Sequence, residues 1–195
     1  MAKLDITNNT AAVDALLEKE DDPLHRRILE NWRRHSLLEV SGNWPDIFTP
    51  EMTVADPEYK MYLGGSLHHL RGRAQIEPFY AAMTEAGHNV IAITDQHIVV
   101  NDGGFAQNAT FTQYFRGWEL NRDGQFALDD NAWYIRRAFL VEFWPYNDEG
   151  ILLGEYVAEM GPPEIIPIDE SEVITFQEAR DALTPLLRPL SAYAG

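Results

Sequence analysis

The stretch that decides the fold is residues 90–116, VIAITDQHIVVNDGGFAQNATFTQYFR. Apolar and polar side chains alternate over residues 90–100 and again over 105–116, which is the twofold period of strands. Between them, Asn101-Asp102-Gly103-Gly104 is a strong turn signal. The stretch therefore predicts a hairpin of two long antiparallel strands.

Two more strands are predicted downstream, at Trp133–Trp144 and Ile151–Met160. The segment Asn147-Asp148-Glu149-Gly150 turns the chain between them, so that the four strands form an antiparallel meander. We expect Gly161-Pro162-Pro163 to end the sheet, because proline cannot donate a hydrogen bond to a neighbouring strand.

A long helix precedes the hairpin. Asp22 provides an N-cap, Pro23 suits the first helical position, and Gly42 ends the helix. One stripe of this helix carries Leu24, Ile28, Trp32, His35 and Leu38 or Glu39. The other elements predicted are helices at Ala11–Glu20, Ala74–Ala86 and from Thr175 to about Leu187, a short helix or turn at Trp44–Phe48, and extended pieces at Met52–Ala55 and Tyr59–Leu63.

Helices followed by a curled antiparallel sheet predict the α+β fold class. We expect one cone-shaped domain over residues 1–195, with a core at 24–160 and a C-terminal extension at 161–195. In this domain a bent, mainly antiparallel sheet wraps around the N-terminal helices and leaves a cavity open at one end.

The composition of the chain excludes several partners. There are 15 Lys and Arg against 31 Asp and Glu, a net charge of −16, which would repel nucleic acid and anionic membranes. Cysteine is absent, so disulfides, thiol catalysis and thiolate metal sites are excluded. The first ten residues contain no apolar segment of the signal-peptide type. We therefore expect a cytoplasmic protein that binds a small molecule, with no nucleic acid and no membrane.

Three stretches carry a resemblance to a known superfamily. They are the helix ending at Glu39 before Gly42-Asn43-Trp44, Leu70-Arg71-Gly72 before the helix with Ile76 and Phe79-Tyr80, and the strand and hairpin from Ile93-Thr94-Asp95 to Gly103. Over residues 24–160 the chain resembles the nuclear transport factor 2-like superfamily, which includes scytalone dehydratase, ketosteroid isomerase and polyketide cyclases. Its members include enzymes and pure binding modules.

The resemblance implies an enzyme that needs no cofactor. The nearest branch in pocket chemistry is similar to scytalone dehydratase, in which His and Tyr act as acid and base. A cofactorless lyase of lignin-derived diarylpropanes, which releases formaldehyde and leaves a stilbene, also belongs to this superfamily. The His that the family commonly carries shortly before Ile93 is absent, since Ile91 and Ala92 stand there. An acid/base His must therefore come from elsewhere.

His97 is the predicted acid/base residue. Strand alternation puts it on the same face as Ile93 and Asp95, and a nearby carboxylate can fix the tautomer of an imidazole. If this face is concave, Asp95 and His97 project into the cavity, where His97 transfers the proton. The alternative is that they lie on a solvated strand face.

Tyr59 and Lys60 are the other predicted catalytic residues. A cation beside a phenol favours the phenolate, so the pair could assist the departure of a hydroxyl group or stabilise an oxyanion. Neighbours on a regular strand point to opposite faces, so both side chains enter one cavity only if this piece is a loop.

The predicted substrate-binding residues are His35, Trp44, Phe48, Phe111 and Arg116. Aromatic rings suit an aromatic ligand, and an inward arginine could hold a phenolate or a carboxylate. His68-His69 lacks the partners of a metal site. Neither a metal nor another cofactor is therefore expected.

The leading hypothesis is a cofactor-independent lyase acting on a hydroxylated aromatic compound. It would act by dehydration or by retro-aldol loss of formaldehyde, as from a lignin-derived diarylpropane diol that gives a stilbene. The alternatives are a non-catalytic small-molecule binding or assembly module of the same fold, and an epoxide hydrolase or polyketide cyclase. We also expect the outer face of the sheet to be partly apolar, which predicts a homodimer or homotrimer.

Overall fold

A curved sheet wraps around one long helix in the computed structural model, which describes residues 3–191, so that residues 1–2 and 192–195 of the predicted domain lie outside the described part. The helices are α1 (Ala11–Leu17), α2 (Pro23–Val40), α3 (Arg73–Glu85), α4 (Gly117–Leu120) and α5 (Phe176–Leu183). The strands are β1 (Thr53–Leu63), β2 (Ser66–Arg71), β3 (Ala92–Asn101), β4 (Gly104–Arg116), β5 (Trp133–Pro145), β6 (Leu152–Glu159) and β7 (Glu164–Ile168). This order confirms the predicted α+β class. Within the described range, no helix is long and apolar enough to cross a membrane.

The long helix α2 begins and ends close to where the sequence predicts. The carboxylate of Asp22 accepts hydrogen bonds from the backbone N–H groups of Leu24 and His25, at 2.9 and 3.1 Å. After the helix the chain turns through Gly42, whose φ of +74° favours glycine. Much of α2 is buried against the inner face of the sheet, so its side chains are available to build an interior site.

The sheet has seven strands in the part of the chain that the structure describes, in the order β2-β1-β6-β5-β4-β3, with β7 added to β5. The predicted meander is confirmed, because β3, β4, β5 and β6 pair antiparallel in succession. The extended pieces predicted at 52–55 and 59–63 form one strand, β1, which pairs parallel to β6 and antiparallel to β2. β2 was not predicted, because its residues are mostly exposed and show no clear apolar alternation.

The prediction that the sheet ends at Gly161-Pro162-Pro163 is wrong. β7 follows directly and pairs antiparallel with the first half of β5, from Trp133 to Arg137. The second half of β5 pairs with β6. The Gly-Pro-Pro segment therefore lets the chain pass from one half of a long strand to the other, and β7 covers backbone groups of β5 that would otherwise form an open edge.

β3 contains a β-bulge. Between Thr94 and His97 its pairing advances by three residues, whereas the partner strand β4 advances by two. Asp95 lies in the bulge with a φ of +51°, which is uncommon for a residue other than glycine. After the bulge, the side chains of Ile98 and Val100 pack against the core. The alternation of inward and outward side chains is thus reversed along the second half of β3.

β1 and β6 approach each other very closely at Gly154. A Cβ atom at this position would lie 1.9 Å from the carbonyl oxygen of Glu58. The pairing of the two strands is irregular in the same region, between Thr53 and Glu58. Only glycine fits here without displacing backbone.

We expect Gly154→Ala to destabilise the protein by about 3 kcal/mol, because the added methyl group forces β1 away from β6, and to lower the melting temperature by about 10 °C. The matched control is Gly103→Ala in the turn after β3, where the nearest contact is the side chain of Asn101 at 3.3 Å. Thermal unfolding of both variants checks the prediction. Equal stability of the two variants would contradict the close contact.

Candidate active site

A cavity of about 260 Å³ lies between the inner face of the sheet and the helices α2 and α3. Its wall is mostly apolar, and its aromatic side chains are Trp32, Phe79, Tyr80, Phe111, Phe115 and Trp144. Pockets of this kind hold a small ligand by apolar contact and orient it with a few polar groups. The polar groups of this wall therefore define what chemistry the cavity can support.

Three carboxyl groups line the cavity, from Glu39 on α2, Glu142 on β5 and Glu155 on β6. Burial, reinforced by the charge of Glu142, raises the pKa of Glu39 to about 8. Burial also raises the pKa of Glu142 to about 7 and that of Glu155 well above its usual range. Three carboxylates in one apolar site would repel each other, so the groups keep some of their protons at neutral pH.

Behind the cavity wall, His35 connects Glu155 to two phenols. The Nε2 atom of His35 lies 3.0 Å from the hydroxyl of Tyr80 and 3.2 Å from Oε1 of Glu155. The Tyr80 hydroxyl donates to the same oxygen at 3.0 Å, and the hydroxyl of Tyr59 lies 3.4 Å from that of Tyr80. Since Nε2 is also 3.7 Å from Glu39, the imidazole touches two of the three carboxyl groups.

The groups of this cluster are held in their neutral forms. Complete burial lowers the pKa of His35 to about 3. Burial first, and then the charge of Glu155, raises the pKa of Tyr59 and of Tyr80 well above the usual value of 10.0. The Nδ1 atom of His35 is buried and has no hydrogen-bond partner among residues 3–191, which favours the tautomer with its proton on Nε2. His35 then donates toward Tyr80 and Glu155.

Glu142 is positioned by two donors. The side-chain amide of Gln107 and the indole Nε1 of Trp144, the latter at 3.3 Å, both donate to its Oε2 atom. The amide oxygen of Gln107 accepts a hydrogen bond from Gln96 at 2.5 Å. Gln96 faces inward because it follows the bulge at Asp95. The hydrogen bonds from Gln107 and Trp144 oppose the effect of burial, which keeps the pKa of Glu142 close to neutrality.

This arrangement is suited to proton transfer. With a pKa of about 7, Glu142 can accept a proton, whereas Glu39, with a pKa of about 8, can donate one. The Tyr80 hydroxyl, held by His35 and Glu155, can hydrogen-bond to a hydroxyl group of a ligand. In the described range, no group of three or more His, Asp and Glu side chains could hold a metal ion.

The prediction that Asp95 and His97 project into the cavity is wrong. Both residues are exposed, and Nδ1 of His97 contacts the backbone carbonyl of Asp95 at 3.1 Å instead of its carboxylate. The cause is the bulge, whose additional residue turns His97 outward and Gln96 inward.

Tyr59 and Lys60 do not enter the cavity together, because this piece of the chain is a strand and not the loop that a shared cavity requires. They are neighbours on β1, so their side chains point to opposite faces of the sheet. Tyr59 is fully buried and belongs to the His35 cluster. Lys60 lies on the outer face, with its ammonium group 2.7 Å from Glu58 and above the ring of Tyr156.

Four of the predicted substrate-binding residues surround the cavity at different depths. Phe111 lines it, as expected. Trp44 and Phe48 pack around the ring of Tyr80, with centroid separations of 6.0 and 5.8 Å, and so hold this ring from outside the cavity. His35 lies behind the wall and acts through Tyr80 and the carboxyl groups, not through direct contact with the cavity.

Arg116 does not reach the cavity, which corrects its prediction as a substrate-binding residue. Its guanidinium group pairs with Glu170 at 2.9 Å and covers the ring of Trp133 at 4.1 Å. These contacts join the end of β4 to the start of β5 and to the segment after β7. The role of Arg116 in the structure is therefore to connect these elements.

Sequence reasoning did not select Glu39, Glu142 and Glu155 as site residues. A signal was present for two of them, because Glu39 and Glu142 interrupt apolar patterns. Glu39 lies one turn after His35 on the stripe of α2, and Glu142 alternates with apolar residues along β5. A carboxyl group inside an apolar pattern is rare unless it has a partner or a function.

No family model matches the chain, and no curated protein matches it. The crystal structures that resemble it in fold include two proposed polyketide cyclases. One is a proposed SnoaL-like polyketide cyclase from Jannaschia sp. CCS1, with a TM-score of 0.52, 14% identity and coverage of 72% of this chain and 90% of that one. The other is a proposed polyketide cyclase from Xanthomonas campestris, with a TM-score of 0.50, 14% identity and coverage of 69% and 91%. With this order of elements, the likeness shows that the chain has the cone-shaped nuclear transport factor 2-like fold.

We expect Glu142→Gln to stabilise the protein in alkaline solution. In the folded state the pKa of Glu142 is raised from 4.5 to about 7, so its contribution to stability is complete below pH 4.5 and is lost as the pH rises to 7. Relative to wild type, the free energy of unfolding of the variant should rise by about 3 kcal/mol between pH 4 and pH 9. Denaturant unfolding at both pH values measures the difference. The exposed Glu149→Gln serves as a control and should show no such change; the same pH trend in both variants would contradict the burial of Glu142.

Proposed function

We propose that this protein is a cofactor-independent lyase that acts on a hydroxylated aromatic compound, by dehydration or by retro-aldol loss of formaldehyde. The observation that carries the proposal is that Glu39 and Glu142 line one mostly apolar, aromatic cavity, where burial raises the pKa of both carboxyl groups, to about 8 and about 7. Such a pair provides an acid and a base at the same pH. The superfamily resemblance and the fold of the two cyclase structures agree with an enzyme of this type.

The first step is the loss of a benzylic hydroxyl group. In a diarylpropane diol with a para-hydroxyl group, Glu39 donates its proton to the benzylic oxygen and water leaves. The phenolic proton passes to water, so that a neutral quinone methide forms. Tyr80 orients the departing hydroxyl group, and its own position is fixed by His35 and Glu155. The substrate ring serves as the electron sink, so the step needs no oxidant or reductant.

The second step is the loss of formaldehyde. The Glu142 carboxylate removes the proton of the terminal hydroxymethyl group, the carbon–carbon bond breaks, and the electron pair flows into the quinone methide. The phenolate oxygen takes up a proton from water and a stilbene is left. The proton gained by Glu142 replaces the one that Glu39 gave up, so that the site returns to its starting state. The balance is one diol to one stilbene, one formaldehyde and one water. A substrate without the hydroxymethyl group would stop at dehydration.

A polyketide cyclisation is the second candidate, favoured by the description of the two similar structures. The same base could remove a proton next to a carbonyl group and the same acid could protonate the resulting alkoxide. An epoxide hydrolase with an Asp–Arg–Asp set is not supported by the cavity, whose described lining carries glutamates as its only acidic residues. A binding module without catalysis would not need acid and base groups with pKa values near neutrality.

We expect turnover of a para-hydroxylated 1,2-diarylpropane-1,3-diol to be highest between pH 7 and pH 8. Below about pH 7 the base Glu142 gains a proton, and above about pH 8 the acid Glu39 loses one. Glu39→Gln and Glu142→Gln should each lower kcat by about 100-fold or more. Formaldehyde release and stilbene absorbance measure the reaction.

His97→Gln is the matched control, because this exposed imidazole lies outside the cavity. It should retain wild-type turnover. If His97→Gln lost activity while the two glutamate variants retained it, His97 on β3 would be the acid/base residue and the proposed roles of the glutamates would be wrong. Absence of turnover with any aryl diol, but cyclisation of a polyketide chain, would favour the second candidate.

We also propose that the protein is a homodimer or homotrimer. Large apolar side chains are exposed on the outer face of the sheet, at Tyr62, Phe139, Val141 and Phe143. The strand register places Phe143 opposite Tyr156 and Val141 opposite Ala158, so these residues form one continuous patch. Contiguous apolar patches on a protein surface mark interaction sites.

We expect Val141→Lys and Phe143→Lys to convert the oligomer to a monomer, because each places a charge in the middle of the patch. Sedimentation equilibrium of the wild type and the variants measures the change. Trp118→Lys, an exposed aromatic on α4 away from this strand pair, should leave the mass unchanged. A wild-type protein that is monomeric at all concentrations would contradict the proposal.

A further inference from the structure

The polar groups of the cavity differ between its two ends. Arg136 is the one basic side chain in the described lining, and it shares β5 with the proposed base Glu142. They stand six positions apart on the same face of the strand, which corresponds to roughly 20 Å along β5. The carboxyl groups and the arginine therefore lie at opposite ends of an apolar passage whose wall between them includes Leu140 and Phe111.

The guanidinium group of Arg136 is held in a fixed orientation. Its Nη2 atom pairs with Glu159 at 2.5 Å, and Glu159, whose side chain is only 5% exposed, also accepts a hydrogen bond from the backbone N–H of Gly64 at 3.0 Å. Across the strand pair, Gln113 stands directly opposite and is fixed by its hydrogen bond to the carbonyl of His88 at 2.8 Å. An arginine has five N–H donors in a planar fork, so pairing through one nitrogen leaves donors for a ligand.

We propose that Arg136 is a specificity-determining residue that binds a carboxylate on the substrate, at the end opposite the reacting hydroxyl group. The substrate class is then an elongated two-ring aryl carboxylic acid. A planar carboxylate matches the guanidinium fork. The reverse orientation would place this anion beside Glu142, which is ionised at pH 8, and away from the one basic side chain of the described lining. This inference deepens the proposed function and rests on the cavity being its substrate site.

Binding measurements test the inference without turnover. The probes are trans-stilbene-4-carboxylate and its uncharged analogue trans-stilbene-4-carboxamide, titrated at pH 8 and followed by their fluorescence. The wild type should bind the carboxylate about tenfold more tightly than the carboxamide, as expected for one charge-assisted contact. Arg136→Gln should abolish this preference, whereas Arg136→Lys, which keeps the charge and loses the fork, should retain part of it.

The matched control is Arg137→Gln, because Arg137 is the next residue on β5 and pairs with Glu164 at 3.4 Å outside the cavity. It should keep the wild-type preference. Equal binding of both probes by the wild type, or an unchanged preference in Arg136→Gln, would overturn the role of Arg136 while leaving the acid–base proposal intact. Failure of the wild type to bind either probe would overturn the two-ring acid as substrate class. Loss of kcat in the glutamate variants, measured separately on the neutral diol, shows whether the proposed function itself holds.

Discussion

A carboxyl group inside an apolar interior is stable only when it is neutral or well paired, and Glu155 meets both conditions. Its partners come from three elements that are distant in the sequence. α2 contributes His35, α3 contributes Tyr80 and β1 contributes Tyr59, while Glu155 itself comes from β6. Because each partner is needed to satisfy the others, this cluster fixes how the helices sit in the sheet. The cavity and the positions of its acid and base depend on that packing.

The parts of the fold that could be predicted are those that follow from local rules. The capped helix after Asp22 and the hairpin after Asn101 carry their own signals of capping and turn formation, and both form as expected. The bulge at Asp95 could not be predicted, because it has no glycine and arises from the pairing of two strands. The additional residue of this bulge puts His97 on the outer face of the sheet, whereas regular alternation predicted the inner face. β7 was not predicted for a related reason. It pairs with the first half of β5, whose free edge exists only once the sheet has assembled.

The residues of the site likewise divide into those that could be predicted from residue type and those that depend on the assembled structure. Aromatic residues of the wall and Tyr59 could be proposed from residue type, since large rings are buried wherever they occur. The three glutamates could not be distinguished by composition from the many acidic residues of a chain with net charge −16. Their environment distinguishes them. The carboxylate of Glu58 pairs with Lys60, His69 and Arg71 and has a lowered pKa, whereas the carboxyl group of Glu39 lines the apolar cavity and has a raised one. The same type of side chain thus has a pKa below its usual value in one place and above it in another.

The parallel pairing of β1 with β6 has a consequence for how the molecule is made. The two strands are separated by about ninety residues, and closing so large a loop is slow compared with forming a hairpin. During synthesis on the ribosome, β1 and β2 emerge long before the strand that supports them. Tyr59 and the apolar residues around it therefore stay uncovered until the segment with Glu155 has been synthesised. The nascent chain is therefore exposed to misassociation in this interval, and the cluster around His35 forms only after β6 has been synthesised.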